Sequence, residues 1–197
     1  THQSVEDIAL MRAIPNMTII NPVDAVETEA AILAIAEYDG PCYVRLGRLA
    51  VETINDENNY KFEIGKGVTL SEGNDVTIVA TGMMVQLALK AKEELSKEGI
   101  NAKIINIHTI KPIDCELLVK AAKETGAIVT AEEHSIVGGL GSAVSEVVTE
   151  EFPVPVVKVG IKDTFGESGK PDQLLEKYGL TVESIVNSAK RAISLKK

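Results

Sequence analysis

From about residue 67 onward the chain alternates between short apolar runs and helical stripes. Val76 to Ala80 holds four apolar residues out of five, as expected of a strand covered on both faces. Met84, Leu87, Ala88, Ala91 and Leu95 then mark one face of a helix that Gly99 ends. Ala102 to Ile107 is the next apolar run. Asp114 is placed to cap a helix carrying Leu117, Leu118, Ala121 and Ala122 as far as Gly126. Ala127 to Ala131 and Val154 to Val159 read as two further strands. Pro171 suits the first turn of a short helix, and Thr181 caps a last one whose Val182, Ile185, Val186, Ala189 and Ile193 share a face. Strands separated by helices of this length predict an α/β domain: a mainly parallel sheet with helices on both faces.

The first third is patterned differently. Ser4 can cap a helix with Glu6 and Asp7 in its first turn and Pro15 closing it. Met17 to Ile20 reads as a buried strand. Asp24 caps a helix from Ala25 to Glu37, with Glu27 completing a capping box, and Cys42 to Leu46 forms another strand. Two strands are too few to close a sheet, so this stretch reads as the tail of a second α/β domain. Between Ala50 and Gly67 the periodicity fades into polar sequence that includes Asn55, Asp56, Glu57, Asn58 and Asn59. The expected division is therefore 1–64 and 65–197. Thr1 opens no recognisable element, so a piece of a longer polypeptide is expected.

One stretch has the outline of a ligand site. Between Ala127 and Val148 a strand runs into a polar corner (Glu132, Glu133, His134), then three glycines (Gly138, Gly139, Gly141), then a helix opening near Ser142. Strand, glycine turn and helix is the shape of a phosphate-binding corner. A dinucleotide fingerprint would need a third glycine where Val144 stands. The string from Gly166 to Lys170 breaks nucleotide P-loop spacing and puts Pro171 where a hydroxyl should be. A tight turn feeding a helix is the simpler reading. His134 then sits on a solvated loop at the strand end, although beside Glu132 and Glu133 it could move protons. His2, His108 and His134 are not spaced to share a metal, and there is no cysteine cluster, which argues against a zinc site. His108 reads as structural, and no nucleophile sits in a recognisable setting.

Composition narrows the picture further. With 197 residues, 45% of them apolar, the chain can bury a real core. No apolar run approaches the roughly 20 residues of a membrane span, so no membrane partner is expected. Cys42 and Cys115 lie far apart and read as buried, reduced thiols of a cytoplasmic protein. The net charge of −9 is uneven: residues 1–64 hold 11 acidic and 4 basic side chains, the remainder 18 and 16. Such a chain is poorly suited to nucleic acid, where phosphate contacts need clustered cations. Yet Arg12, Arg45 and Arg48 all lie in the acidic third. Arg45 and Arg48 flank Leu46-Gly47 just after a strand, where α/β proteins place ligand contacts. Arginine's planar fork matches a pair of anionic oxygens. Surface ion pairing to the abundant carboxylates is the equal alternative.

Six ordered motifs carry a family resemblance. THQSVEDIALMRAIPNMTIINPVDAVE (1–27), PCYVRLGR (41–48), VTIVATG (76–82), HTIKPID (108–114), EEHSIVGGLGSAV (132–144) and DTFGESGKPDQLLEKYGL (163–180) together resemble the C-terminal portion of transketolases. The match is nearest to the split form made from two shorter chains, and it spans nearly the whole sequence. The resemblance implies that residues 1–64 end a pyrimidine-binding domain and that 65–197 form the complete transketolase C-terminal domain. It implies transfer of two-carbon ketol units between sugar phosphates, with thiamine diphosphate and Mg²⁺ in the complete enzyme. It also implies an N-terminal part or subunit as partner and a homodimer. Carried over residue by residue, His2 of the THQ motif contacts bound sugar, and Arg48, closing LGR, grips the substrate phosphate. Arg45 has no such assigned role. The G-D-G…N motif that holds diphosphate and metal is not in this sequence, so the chain alone is expected to bind neither and to be inactive. Deoxyxylulose-phosphate synthases and the β subunits of 2-oxo acid dehydrogenases share parts of the pattern more weakly. A non-catalytic dimerisation module is the alternative of a different class.

Overall fold

The computed structural model describes residues 4–196. In chain order it contains α1 (Asp7–Arg12), β1 (Thr18–Ile20), α2 (Ala25–Ala36), β2 (Cys42–Val44), β3 (Val68–Ser71), β4 (Val76–Ala80), α3 (Met84–Lys97) and β5 (Ala102–Asn106). It continues with β6 (Thr109–Lys111), α4 (Cys115–Thr125), β7 (Ile128–Ser135), α5 (Leu140–Glu151), β8 (Val156–Ile161), α6 (Pro171–Lys177) and α7 (Val182–Ser194).

The larger sheet has the order β3-β5-β4-β7-β8. Every pairing in it is parallel except that of β3 with β5. Side chains alternate across each strand, so every buried strand feeds two cores. On one face Ile78, Ile104 and Val129 pack with Met84, Ala88, Ala91 and Leu95 of α3 and with Ile185, Ala189 and Ala192 of α7. On the other, Val79, Ile105 and Ile128 meet Leu118 and Ala122 of α4 and Leu140, Val144 and Val148 of α5. This is the mainly parallel α/β sheet, helices on both faces, that the periodicity predicts.

Three of the expected caps form, although Glu27 of the expected capping box accepts from the Val23 amide (2.6 Å) instead of that of Asp24. Asp24, Asp114 and Thr181 accept from the backbone amides of Glu27, Leu117 and Ser184, each three residues on. The fourth does not: α1 begins after Glu6 with no side-chain cap of its own. Its first amides find a partner across the molecule instead.

A second, three-stranded sheet joins the first third to the rest. Its order is β2-β1-β6, with β1 parallel to β2 and antiparallel to β6. β6 comes from the far side of the expected boundary and is invisible as a strand in sequence, being three residues long and followed by Pro112. The half-buried edge strand β3 is likewise missed. The polar stretch between the sheets has no regular structure, yet it is tied down. Asp24 accepts from the amides of Ile54 (2.8 Å) and Asn55 (2.9 Å), and the Tyr60 hydroxyl donates to the buried Glu27. Phe62 lies against His108 with ring centroids 4.3 Å apart. The cysteines depart from expectation: both are free thiols, but Cys115 is exposed at the start of α4 and Cys42 is only half-buried. Among the described residues no helix is long and apolar enough to cross a membrane.

Candidate functional site

The glycine corner between β7 and α5 is the first place to look, and it is already filled. β7 runs four residues past the expected end, carrying Glu132 and His134 into the interior, where both are fully buried. The Glu132 carboxylate sits across the N-terminus of α5. It accepts from the amides of Leu140 (2.7 Å) and Gly141 (2.8 Å), the position an anionic ligand would take. A side chain on Gly139 would run into that carboxylate, which explains why this residue is glycine. Gly138 turns with φ +78°, a left-handed conformation that glycine adopts freely. Burial pushes the Glu132 pKa up to about 7, against the pull of the Gly141 and Leu140 amides and the charges of Lys158 and Arg12.

His134 is not on a solvated loop, which corrects the sequence reading. Its Nε2 accepts from the amides of Ile8 (3.1 Å) and Ala9 (3.4 Å), supplying the cap that α1 lacks. Its Nδ1 lies 2.7 Å from the Ser135 carbonyl, which can only accept, so the proton is on Nδ1 and the ring is neutral. Burial holds its pKa below the ordinary value, and a proton added at Nε2 would sever the cap. Arg12, at the other end of α1, donates to the Gly138 carbonyl (2.8 Å) and pairs with Glu146 (2.6 Å). The corner therefore grips α1 at both ends.

A doubly wound sheet usually binds ligands at the C-terminal strand ends, where neighbouring crossovers diverge. Here that point lies past β4, which is flanked by β5 and β7. It too is occupied, by the segment after β1. The Thr81 hydroxyl donates to the Asn21 carbonyl (3.3 Å), and Asn21 donates its amide to the His108 carbonyl (2.8 Å). Gly82 passes so close that a Cβ would lie 2.8 Å from the Asn21 side-chain amide. Val23 is 1% exposed and part of the core.

The end of β2 is different. Arg45 turns inward, with its side chain 13% exposed. Its Nε donates to Asp7 Oδ2 (3.0 Å), and one terminal nitrogen donates to the carbonyls of Ser4 (3.2 Å) and Glu133 (2.9 Å). The other lies 3.6 Å from the Glu133 carboxylate. The Tyr43 hydroxyl also donates to Asp7 Oδ2, at 2.8 Å. Burial raises the pKa of Glu133, and the Arg45 charge opposes it. Arg48, three residues on, is exposed, and among the described residues it enters no ion pair. His2, the other expected substrate residue, lies outside the described residues. Sequence reasoning missed Arg45, Asp7 and Tyr43 as a cluster. The one available signal was an arginine at a strand end in an acidic stretch, and that could not name its partners.

No group of three or more His, Cys, Asp or Glu side chains among the described residues could hold a metal ion. At the α5 N-terminus the Glu132 carboxylate takes the place a ligand's phosphate would need.

Comparison with known proteins agrees with this layout. The family model for the transketolase C-terminal domain matches residues 65–185, and that for the transketolase pyrimidine binding domain matches residues 1–53. The 6-deoxy-6-sulfo-D-fructose transketolase subunit of Clostridium sp. (strain MSTE9) is 50% identical over 189 residues, covering 96% of this chain and 58% of that subunit. The 1-deoxy-D-xylulose-5-phosphate synthase of Heliobacterium modesticaldum (strain ATCC 51547 / Ice1) is 41% identical over 192 residues, covering 96% of this chain and 30% of that enzyme. A solved split-gene transketolase, an inactive beta4 tetramer, superposes with a TM-score of 0.96 at 53% identity, covering 100% of this chain and 64% of that one. The chain thus spans less than two thirds of the length of these proteins. With the C-terminal-domain model matched over residues 65–185 and the whole fold superposing on a split-gene member, the chain belongs to the transketolase family.

Proposed function

We propose that this chain is the C-terminal part of a thiamine diphosphate-dependent transketolase that moves two-carbon ketol units between sugar phosphates. His2 and Arg48 supply one edge of the substrate site. The functional division is at residue 64: a pyrimidine-domain tail, then the C-terminal domain. The cofactor and Mg²⁺ are held by residues of the N-terminal partner and of the pyrimidine-binding domain upstream of Thr1, and the complete enzyme is a dimer of such units. The chain alone neither binds the cofactor nor turns over.

The observation that carries the reading is the contrast within one short loop. Of two arginines at the end of β2, Arg45 is committed inward while Arg48 is exposed and outside every ion pair among the described residues. An exposed guanidinium just past a strand end, outside every ion pair among the described residues, is free to meet an anion bidentately. In the complete enzyme, Arg48→Ala should weaken productive binding of phosphorylated sugars by about 2–4 kcal/mol, on the order of a hundredfold in KM. Unphosphorylated analogues should change little. Equal effects on both substrate types would remove the phosphate role.

A second reading concerns the anion. The relative from Clostridium is named for a sulfo sugar, and a sulfonate presents oxygens to arginine much as a phosphate does. Turnover of phosphorylated and sulfonated ketoses side by side decides between them.

A further inference from the structure

We propose that the buried carboxyl of Glu27 is a proton-sensitive latch, which holds the polar stretch between the two sheets closed when protonated and loosens it when ionised. Glu27 is fully buried on α2, and three pieces of chain meet on it. The Tyr60 hydroxyl donates from the polar stretch, the Asn106 side-chain amide from the end of β5 (2.8 Å), and the Val23 amide from just before α2 (2.6 Å). All three donors are uncharged, and among the described residues Glu27 enters no ion pair. A carboxylate taken out of water without a cation is disfavoured against its neutral form. Burial accordingly pushes the Glu27 pKa up to about 7, against the pull of the three donors and with the Asp24 charge adding to the rise. Asn106 suits both states of the carboxyl. Its nitrogen faces Glu27, while its oxygen, also buried, has no partner among the described residues. Half a turn of the side-chain amide presents that oxygen instead, as the acceptor that a protonated carboxyl needs.

The neighbouring titratable groups keep their charge state where Glu27 changes its own. Burial raises the pKa of Asp24, but the amides of Glu27, Asn55 and Ile54 outweigh it and leave the group below its ordinary value. Tyr60 is raised above its ordinary value by burial and then by the Glu27 charge. His108, packed against Phe62 of the same stretch, is pushed down by burial to about 4. When the polar stretch lifts, water reaches Glu27 and its pKa falls back toward the ordinary 4.5. The closed form therefore binds the proton more tightly than the open one. Opening is opposed in acid, becomes easier as pH rises between those two values, and levels off above about 7.

The test is amide hydrogen exchange of the complete enzyme, read by mass spectrometry and corrected for the intrinsic effect of pH on exchange. Ile54 and Asn55, whose amides Asp24 holds, report opening, and the buried strand β4 is the internal reference. Protection of the polar stretch should fall about tenfold from about pH 5 to about pH 7 and then level off, with β4 unchanged. Glu27→Gln cannot ionise and should flatten that profile. Protection independent of pH in the parent, or an equal fall in Glu27→Gln, overturns the latch. Glu132 also titrates near 7, but it sits on the α5 amides, and its effect would persist in Glu27→Gln. Should Glu27→Gln fail to fold, Tyr60→Phe removes one donor from the carboxyl. Protection should then be severalfold lower at both pH values with the fall retained, and unchanged protection overturns the latch.

Discussion

Two strand ends of this chain gather charged side chains, one after β7 and one after β2. At the first, every group finds a partner inside: Glu132 on the α5 amides, His134 on the α1 amides, Arg12 on the glycine carbonyl. At the second, Arg45 is absorbed in the same way but Arg48 is not. The more suggestive local shape is therefore the structural one. A glycine-rich turn at a helix N-terminus is an anion site only if the chain does not bring its own anion, and here β7 delivers one from eight residues upstream. What separates a site from a joint is unpaired capacity for interaction, not the motif.

That contrast can be broken most forcefully at Glu132. Glu132→Ala would leave two buried amides without a partner and should cost about 3–5 kcal/mol of stability, read from urea unfolding of the complete enzyme. Inorganic phosphate should not restore it. Recovery by phosphate would show the corner to be a latent anion cradle and would erase the distinction. Gly139→Ala tests the same packing from the other side. A methyl group forced against the Glu132 carboxylate should cost about 2–3 kcal/mol, and an unchanged midpoint would mean that the carboxylate moves freely.

His134→Gln is expected to cost about 1–2 kcal/mol near neutral pH through loss of the α1 cap. Its pH dependence has a definite sign. The folded pKa lies below the ordinary 6.5, so the unfolded chain takes up the proton first. The histidine's contribution is complete above about 6.5 and is lost as pH falls through the depressed folded value. Thermal unfolding of both proteins at pH 7.5 and about pH 5 should show the gap between them closing at the lower pH. A gap that widens would mean that the ring is charged in the fold. The smallest effect on stability belongs to the residue with the largest expected effect on substrate. Arg48→Ala should leave the unfolding midpoint within about 0.5 kcal/mol of the parent. A clear destabilisation would place Arg48 with the internal joints.

Much of the architecture was legible in the sequence. Val76 to Ala80, the stripes of α3 and α7, and the caps Asp24, Asp114 and Thr181 depend on residues within a few positions of one another, and local patterns record such relations faithfully. The α1 cap was misplaced because its acceptor, His134, is 126 residues away from Ile8. β6 escaped because a three-residue strand owes its existence to the edge of β1 rather than to its own periodicity. His134 looked solvated because a run of Glu, Glu and His has no local sign of burial.

The division follows from what each level of structure can specify. The sequence by itself determined the α/β class, the capped starts of α2, α4 and α7 and, through six ordered motifs, the family. Only the tertiary structure decided which polar groups were spent on holding the fold. Glu132, His134 and Arg45 are satisfied by amides and carbonyls remote in the chain, and those distances are set by packing of the sheet and its helices. An arginine's partners are written nowhere near it, so only the folded chain shows that Arg45 is bound inward to Asp7, Ser4 and Glu133.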